Sequence, residues 1–422
     1  MRILFANKYY YLKGGCERVL FTEMELLRSH GHQVAVFASD HPSNETAEFS
    51  DLFTEREDYF EAGWGHKAKA ALKIIYSPEA YSKFGRVIDL FKPDLVHAHN
   101  IYAQLSTAVL DAAKDRGVPV VLTAHDYKLV CPSYMMLDHG SVCEKCIGGH
   151  YYHSLLTGCH KESRVASAVY MAETYFNTWF KKYDSVRKFI CPSGFIKSKL
   201  ASRFAPDRMT VLNNPVDLAS YVPVFRDEGY YLFTGRLSKE KGVFTLIRAF
   251  AEMGLPLKIA GTGPLERECR QLARGVPNIQ MTGYKGGRDL AALYQGARAC
   301  VVPSEWYENA PLSVIEPLAY AKPVIAARIG GIPELIQEGR NGLLFNAFDP
   351  ADLKRKVRFF QQLLPSQYRS FCSQARISAQ EQFSTERHYA ALMQIYLEAS
   401  GIKGTDEGVG SESRLEESYA AT

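Results

Sequence analysis

The chain has 422 residues with a net charge of +4, and 46% of its residues are hydrophobic. That is enough for two domains of ordinary size in a globular protein. The small net charge makes no case for a nucleic-acid partner, and no apolar run is long enough to span a membrane. The segment Met1 to Asn7 reads as a strand rather than a leader peptide, because its apolar run is short and no cleavage-like site follows. A cytoplasmic location is therefore expected. Five of the nine cysteines (Cys16, Cys191, Cys269, Cys300 and Cys372) stand singly, as expected of reduced, buried thiols.

Ile3 to Ala6 is a short apolar strand, expected to be buried on both faces. A loop with Gly14-Gly15 follows, then a helix with apolar Cys16, Val19, Leu20, Met24 and Leu27, stopped at Gly31. Val34 to Ala38 is the next strand. In such a unit the loop lies at the C-terminal end of the strand, where open α/β sheets bind ligands, and two glycines allow close approach of backbone to phosphate or sugar. Residues 40–92 show no clear order, although Trp64 to Lys73 offers an aromatic and basic face. Strands at Asp94 to His99 and Val118 to Leu122 end in His97-Ala98-His99-Asn100 and Thr123-Ala124-His125-Asp126. This places His99 and His125 on one sheet edge, where histidines do chemistry or serve as hydrogen-bonded structure.

Cys131, Cys143, Cys146 and Cys159 give Cys-x11-Cys-x2-Cys-x12-Cys, with His150, His153 and His160 nearby. The set could supply a structural metal, but its outer spacings are unusual, and reduced thiols or a redox-labile pair are the preferred reading. No catalytic metal is expected, and the segment should form a lid or wall over the cleft. Ser163 to Tyr183 reads as a helix carrying Val165, Val169, Tyr175, Phe176, Trp179 and Phe180 and ending in Lys181-Lys182. The preferred reading is an amphipathic helix facing the core; a membrane-surface helix stays open. The strand Phe189 to Cys191, a helix after Ser193 and the strand Thr210 to Leu212 lead to Asn213-Asn214-Pro215-Val216-Asp217, the crossing to a second domain.

There Tyr230 to Thr234 is a strand ending in Gly235-Arg236, and Lys241-Gly242 opens the following helix. Both cations reach the sheet edge, the arginine suited to bidentate phosphate contacts and the lysine to a compact charge. Leu257 to Ala260 ends in Gly261-Thr262-Gly263-Pro264, but Glu266 at the third glycine position speaks against a dinucleotide fingerprint. Ile279 to Thr282 ends in Gly283-Tyr284-Lys285, and a helix at Asp289 to Ala297 precedes the strand Cys300 to Val302. A helix is expected to start near Pro311, proline suiting a first helical position, which leaves Ala310 to Ser313 with free N–H groups and a positive dipole end. Glu308 precedes that helix and Glu316 lies within it; carboxylates accept from sugar hydroxyls, so the site suits sugar and phosphate together. Pro317 should bend the helix. The strand Gly342 to Phe345, a helix from Pro350 and helices over 366–382 and 385–399 follow, and the polar stretch from Gly404 reads as a disordered tail.

Glu308 and Glu316 are separated by seven residues, and Lys322-Pro323-Val324-Ile325-Ala326 and Gly330-Gly331-Ile332-Pro333-Glu334 follow. These features resemble the Glu-x7-Glu region of retaining glycosyltransferases of family 4. The resemblance covers about residues 1–400 and is densest over 230–345. It implies an α/β, GT-B fold, with two Rossmann-like domains facing each other across a cleft. Residues 1–214 would form the acceptor-side domain with its insertion at 131–160, and 215–382 the nucleotide-sugar domain. Residues 383–400 would form a helix crossing back to the first domain, and 401–422 the tail. The implied activity is a retaining, metal-independent hexosyl transfer from a UDP- or GDP-sugar to a glycan or lipid-linked acceptor. That suits cell-surface polysaccharide synthesis at the inner membrane face, with no cofactor and no nucleic acid.

By the same resemblance His125 faces the donor sugar, Arg236 and Lys241 clamp the diphosphate, Glu308 holds sugar hydroxyls and Glu316 the ribose. Gly14, Gly15, Gly235, Gly283, Tyr284, Asn309, Ala310, Pro311 and Leu312 complete the donor site, with His99 and Asn100 toward the acceptor. Pro215 and Ala310 stand where many relatives carry glycine. A silent sugar-nucleotide sensor, a sugar phosphorylase or epimerase and a membrane-surface interaction protein are the alternatives. Alanine at Glu308 or Lys241 is expected to abolish transfer and leave the melting temperature nearly unchanged.

Overall fold

Short runs of Val, Ile, Leu and Phe, each closed by a glycine, proline or polar turn, become parallel strands in both halves of the chain. The computed structural model describes residues 1–56 and 64–402, with side chains for 1–56 and 70–402. The tail expected from Gly404 lies outside the described residues, as do the side chains from Trp64 to Lys69.

The first sheet contains β1 (Arg2–Ala6), β2 (Gln33–Phe37), β3 (Leu95–Ala98) and β4 (Val120–Thr123). A small antiparallel hairpin, β5 (Leu137–Asp138) and β6 (Ser141–Val142), stands apart. The sheet is completed by β7 (Val186–Cys191) and β8 (Met209–Val211), in the order β2-β1-β3-β4-β7-β8 with all pairs parallel. The second sheet contains β9 (Tyr230–Thr234), β10 (Leu257–Ala260), β11 (Ile279–Gly283), β12 (Ala297–Val302), β13 (Val324–Ala327) and β14 (Gly342–Phe345). Its order is β11-β10-β9-β12-β13-β14, again parallel throughout. Helices cover both faces, so the strands are buried on both sides and read as continuous apolar runs. In each sheet the order reverses beside the first strand, the switch point at which loops diverge to leave a crevice.

Two apolar cores result. One gathers residues from Ile3 to Met209 together with Leu392, Ile395, Tyr396 and Ala399; the other runs from Val216 to Phe383. The last helix, Thr385–Ser400, packs on β4, β7 and the helix Gly15–Ser29 of the first half. The two chain crossings run side by side, with the Val216 N–H donating to the Phe383 carbonyl at 2.8 Å.

Three expectations are corrected. Residues 40–92 are not featureless: helices occupy Trp64–Ile75 and Pro78–Phe91, the second capped by the Ser77 hydroxyl accepting from the Ala80 N–H at 3.2 Å. Pro311 is not the first helical residue; at φ −71°, ψ 129° it is extended and caps the helix Leu312–Ala319, which continues through Pro317. The third correction concerns the helix Arg164–Trp179, which does not turn its apolar side to the core. It buries Ser167, Glu173, Thr174 and Asn177, while Val165, Trp179 and Phe180 are 77%, 73% and 64% exposed. The buried polar stripe is needed because Lys128 lies beneath it, its ammonium 2.5 Å from the Glu173 carboxylate. A buried cation requires such a partner.

Gly242 and Gly254 share a left-handed conformation but not an environment. A Cβ at Gly242 (φ +67°) would lie 1.8 Å from the Pro303 carbonyl oxygen, whereas none would be met within 4 Å at Gly254 (φ +68°). Gly254→Ala should therefore cost about 1–2 kcal/mol, the left-handed penalty alone, and Gly242→Ala about 3 kcal/mol or more, in urea unfolding.

Candidate active site

The loops at the C-terminal ends of β9 and β12 meet because those strands are neighbours. After β9, Gly235-Arg236 leads into a single turn, Lys239–Lys241, and Gly242 admits the next helix against Pro303. The Lys241 ammonium lies 2.6 Å from Glu308 Oε1, and the Ser304 hydroxyl donates to the same oxygen at 2.7 Å. Glu308 is only 4% exposed. Arg236 is exposed and makes no ion pair among the described residues. Glycines at 330 and 331 are obligatory under this loop: a Cβ would fall 2.2 Å from the Glu308 carbonyl oxygen and 2.0 Å from that of Asn309. The Gly331 N–H donates to the Glu308 carbonyl at 2.7 Å.

The second half touches the first across the cleft. Gly15 faces Leu312, whose Cδ1 would be 3.7 Å from a Cβ there, and Gly14 caps the same helix start. The Asn309 amide donates to the Ala124 carbonyl at 3.0 Å, and its oxygen accepts from the Ser193 hydroxyl at 2.7 Å. The Ala310 carbonyl accepts from the Asn214 amide at 2.8 Å. Both Glu334 carboxylate oxygens accept backbone N–H groups, from Gly194 and Phe195, at 2.6 Å. Glu316 is engaged by Arg18 at 2.9 Å and by the Tyr294 hydroxyl at 3.0 Å. Burial pushes the Glu316 carboxyl up, against the opposing pull of Arg18. Gly283 and exposed Tyr284 lie farther out, at the end of the edge strand β11; the Gly283 carbonyl accepts from the Gly261 N–H at 2.8 Å.

His125 ends a buried chain of polar side chains. Its Nε2 is 2.8 Å from His99 Nδ1. His99 Nε2 is 3.3 Å from Glu23 Oε2, and Glu23 Oε1 is 3.0 Å from His388 Nε2. His388 Nδ1 is 3.0 Å from the Asn213 carbonyl and must donate to it. Burial would raise the Glu23 carboxyl, but His388 and His99 hold it well below the usual range, so it stays ionised and accepts from His388; its Oε2 and the facing His99 Nε2 make a charge contact without a hydrogen bond. The Glu23 charge favours a proton on the facing His99 Nε2; in that tautomer His99 accepts at Nδ1 from His125 Nε2–H, and His125 Nδ1 keeps a lone pair. Burial, aided by His99, pulls the His125 pKa down to about 3. His97 lies beside this chain, 2.7 Å from the Tyr396 hydroxyl and 2.8 Å from Thr123 Oγ1.

His99 was expected on the acceptor side; it is fully buried and stands behind His125 instead. Asn100 is almost as buried, its amide 3.1 Å from Cys16 Sγ. Glu23, His388 and Arg18 were missed. The signal for Glu23 was present, since it interrupts the apolar stripe of Leu20, Met24 and Leu27 on one helix face. Two groups bring metal-ligand atoms within 4.8 Å of one another, Cys16/His99/His125 and Glu23/His97/His99. Both overlap this chain, Cys16 adding to its His125 end; Glu23 Oε2 and His99 Nε2 face each other without a hydrogen bond.

Comparison with known proteins agrees with this geometry. Residues 13–220 match the model of Glycosyltransferase Family 4, and residues 228–362 that of Glycosyl transferases group 1. An uncharacterised glycosyltransferase of Methanocaldococcus jannaschii is 24% identical over 405 residues, covering 95% of this chain and 99% of the relative. Among solved structures, sucrose-phosphate synthase of Thermosynechococcus elongatus matches with TM-score 0.68 and 19% identity, over 94% of this chain and 98% of the other. HepE of Anabaena in complex with UDP-glucose matches with TM-score 0.63 and 17% identity, over 94% and 99%. The chain has the GT-B fold. It belongs to the family 4, group 1 glycosyltransferases and is itself a glycosyltransferase.

The buried histidines set an acid limit. With folded pKa values depressed at His97 and His125, the unfolded chain takes up protons below about pH 6.5 that the folded chain refuses, so stability falls as pH drops. Glu23 acts the same way at lower pH, its depressed pKa contributing stability that is lost below about pH 4.3. Urea unfolding at pH 5 should show about 4 kcal/mol less stability than at pH 7.5, about 2 kcal/mol for each of the two histidines.

Proposed function

We propose that this enzyme transfers a hexose from a UDP- or GDP-sugar to a glycan or lipid-linked glycan, with retention of configuration and without a metal. The observation that carries the reading is one β9 loop with exposed Arg236, which has no ion pair among the described residues, and Lys241, set against the buried Glu308 and the start of the helix Leu312–Ala319. As the sugar–diphosphate bond breaks, negative charge grows on the phosphates. Arg236, Lys241 and the N–H groups of Leu312 and Ser313 stabilise it there. Glu308 holds hydroxyls of the sugar as it gains oxocarbenium character, and neutral His125 accepts a hydroxyl at Nδ1. Glu316 takes the ribose hydroxyls once Arg18 releases it, and Gly283 and Tyr284 border the base. His99 acts through His125, as a positioning residue. No side chain serves as nucleophile; the acceptor attacks on the leaving-group face and a donor phosphate oxygen takes its proton. The UDP-glucose complex of the similarly folded HepE supports a nucleotide-sugar donor.

A membrane-linked acceptor is supported by the outward face of the helix Arg164–Trp179. Val165, Trp179 and Phe180 stand out from it, with Leu156 and Tyr152 exposed on the adjoining turn and Lys181 at its end. No helix among the described residues is long and apolar enough to cross a membrane. The enzyme would therefore meet such an acceptor from the inner surface, the aromatic side chains at the headgroup level. Trp179→Glu with Phe180→Glu should abolish flotation with anionic vesicles and leave transfer to a water-soluble acceptor intact; unchanged flotation removes this reading.

Lys241→Ala is a poor test of the clamp. Contrary to the expectation of unchanged stability, it strands a buried Glu308 carboxylate, at a cost of about 3–5 kcal/mol. Arg236→Ala avoids this, being exposed. It should change stability by less than about 0.5 kcal/mol and lower kcat/KM for the donor by about 100-fold or more. Transfer at the parent rate would remove Arg236 from the site.

A further inference from the structure

The insertion between β4 and the helix Arg164–Trp179 is anchored in the first core by Tyr127, Leu129, Val130 and Met136, but has little regular structure beyond them. Its regular structure is the two-residue strands β5 and β6 and a helix over His153–Thr157. Five of its non-glycine residues adopt positive φ: Tyr134 (59°), Met136 (49°), His139 (49°), Lys161 (53°) and Glu162 (54°). Backbone in that region is costly and persists only where the surroundings over-determine it. So small a unit ordinarily needs a cross-link.

Cys131, Cys143, Cys146 and Cys159 converge there. All four are free thiols, Cys131 and Cys146 buried and the others half-buried. Together they line one cavity of about 10 Å³, along with Lys145, His153, Ser133, Ser154, Thr157 and the apolar Met136 and Leu137. That is room for a single small occupant. The hydroxyls around it are already committed: Ser133 to Cys131 Sγ at 3.2 Å, Ser154 to the Tyr151 carbonyl at 2.8 Å and Thr157 to the His153 carbonyl at 3.1 Å. A thiophilic cation would find four sulfurs.

We infer that the insertion is a structural zinc site, with Cys131, Cys143, Cys146 and Cys159 as its four thiolate ligands. The four cysteines line the cavity but are not among the groups with ligand atoms within 4.8 Å of one another, so binding must draw the sulfurs inward. Zinc binding displaces the four thiol protons to solvent, forms four Zn–S bonds of about 2.3 Å and contracts the ring. The product is a Zn(S-Cys)4 centre of charge −2, and no oxidant or reductant is needed.

The site has a mechanical consequence. Glu144 lies between the two knuckle cysteines, and its Oε1 accepts from the Tyr307 hydroxyl at 2.8 Å and from Lys199 Nζ at 2.7 Å. Tyr307 adjoins Glu308. The hairpin tip at Gly140 lies against Lys239, whose Nζ would be 2.7 Å from a Cβ there. The metal-bound insertion thus braces both loops that carry Lys241 and Glu308. The inference does not depend on which sugar is transferred.

The test is metal analysis of the full chain purified under reductant without chelator, followed by Co2+ titration of stripped protein. The expected result is one zinc per chain and, on Co2+ loading, the intense thiolate charge-transfer and d–d bands of a tetrahedral sulfur site. Cys146→Ser should lose both, and Cys269→Ser, in the second core, should keep both. The parent stoichiometry decides even if Cys146→Ser fails to fold. Protein that remains metal-free after zinc is supplied under reductant, or four thiols found as two disulfides by alkylation and intact mass, would overturn the inference, as would zinc retained at parent level in a folded Cys146→Ser.

Discussion

Glu308 has almost no access to water and sits 2.6 Å from the Lys241 ammonium. A desolvated carboxylate costs several kcal/mol unless a cation and further donors meet it, so the loops carrying these two groups are held in one arrangement. The neighbouring residues serve that arrangement. Gly242 lets the next helix begin against Pro303, Ser304 supplies a second donor, and Gly330-Gly331 leave space for the backbone of Glu308 and Asn309. Arg236 and the start of the helix Leu312–Ala319 are thereby fixed relative to the carboxylate, which is the preorganisation that stabilisation of a leaving diphosphate requires.

The contacts across the cleft are of another kind. Arg18 with Glu316, Asn309 with Ala124 and Ser193, and Glu334 with Gly194 and Phe195 are polar bonds between loops and helix ends. Water can replace such bonds; the packing of Tyr307 on Phe195 and Tyr127, with ring centroids 4.8 and 6.5 Å apart, is the apolar contact that must also open for the halves to part. The helix Thr385–Ser400 cannot follow its own half, because Leu392, Ile395 and Tyr396 are buried in the first core and His388 completes the chain to His125. Motion is left to the paired crossings at 214–217 and 383–385, where Val216 bonds Phe383. The chain of polar side chains that sets the His125 tautomer thus begins beside the pivot, at the Asn213 carbonyl.

Much of this was legible from residues close in sequence. The strands Tyr230–Thr234, Leu257–Ala260 and Gly342–Phe345 follow from apolar runs with clear stops, and the two glutamates with their glycines mark one loop and one helix. Partnerships made over long separations were not. Glu23 and His388 are 365 residues apart, and each alone is a polar residue on a helix. The Arg164–Trp179 helix was misread for the same reason: its aromatic periodicity suggested a core face, while the demand of Lys128 for Glu173 was visible only in three dimensions. Glu316 was placed in its helix, but its hold on Arg18 depends on the closing of two halves.

The central claim is that this cleft binds a nucleotide diphosphate by protein charge alone. The most direct measurement is thermal unfolding of the full chain with UDP, GDP, ADP and their common sugar conjugates, each with and without added magnesium. A ligand that binds only the folded chain raises its melting temperature in proportion to affinity and concentration. The account predicts a clear rise with one nucleotide family, of equal size in both conditions. No rise with any nucleotide, or a rise that appears only with magnesium, would contradict it.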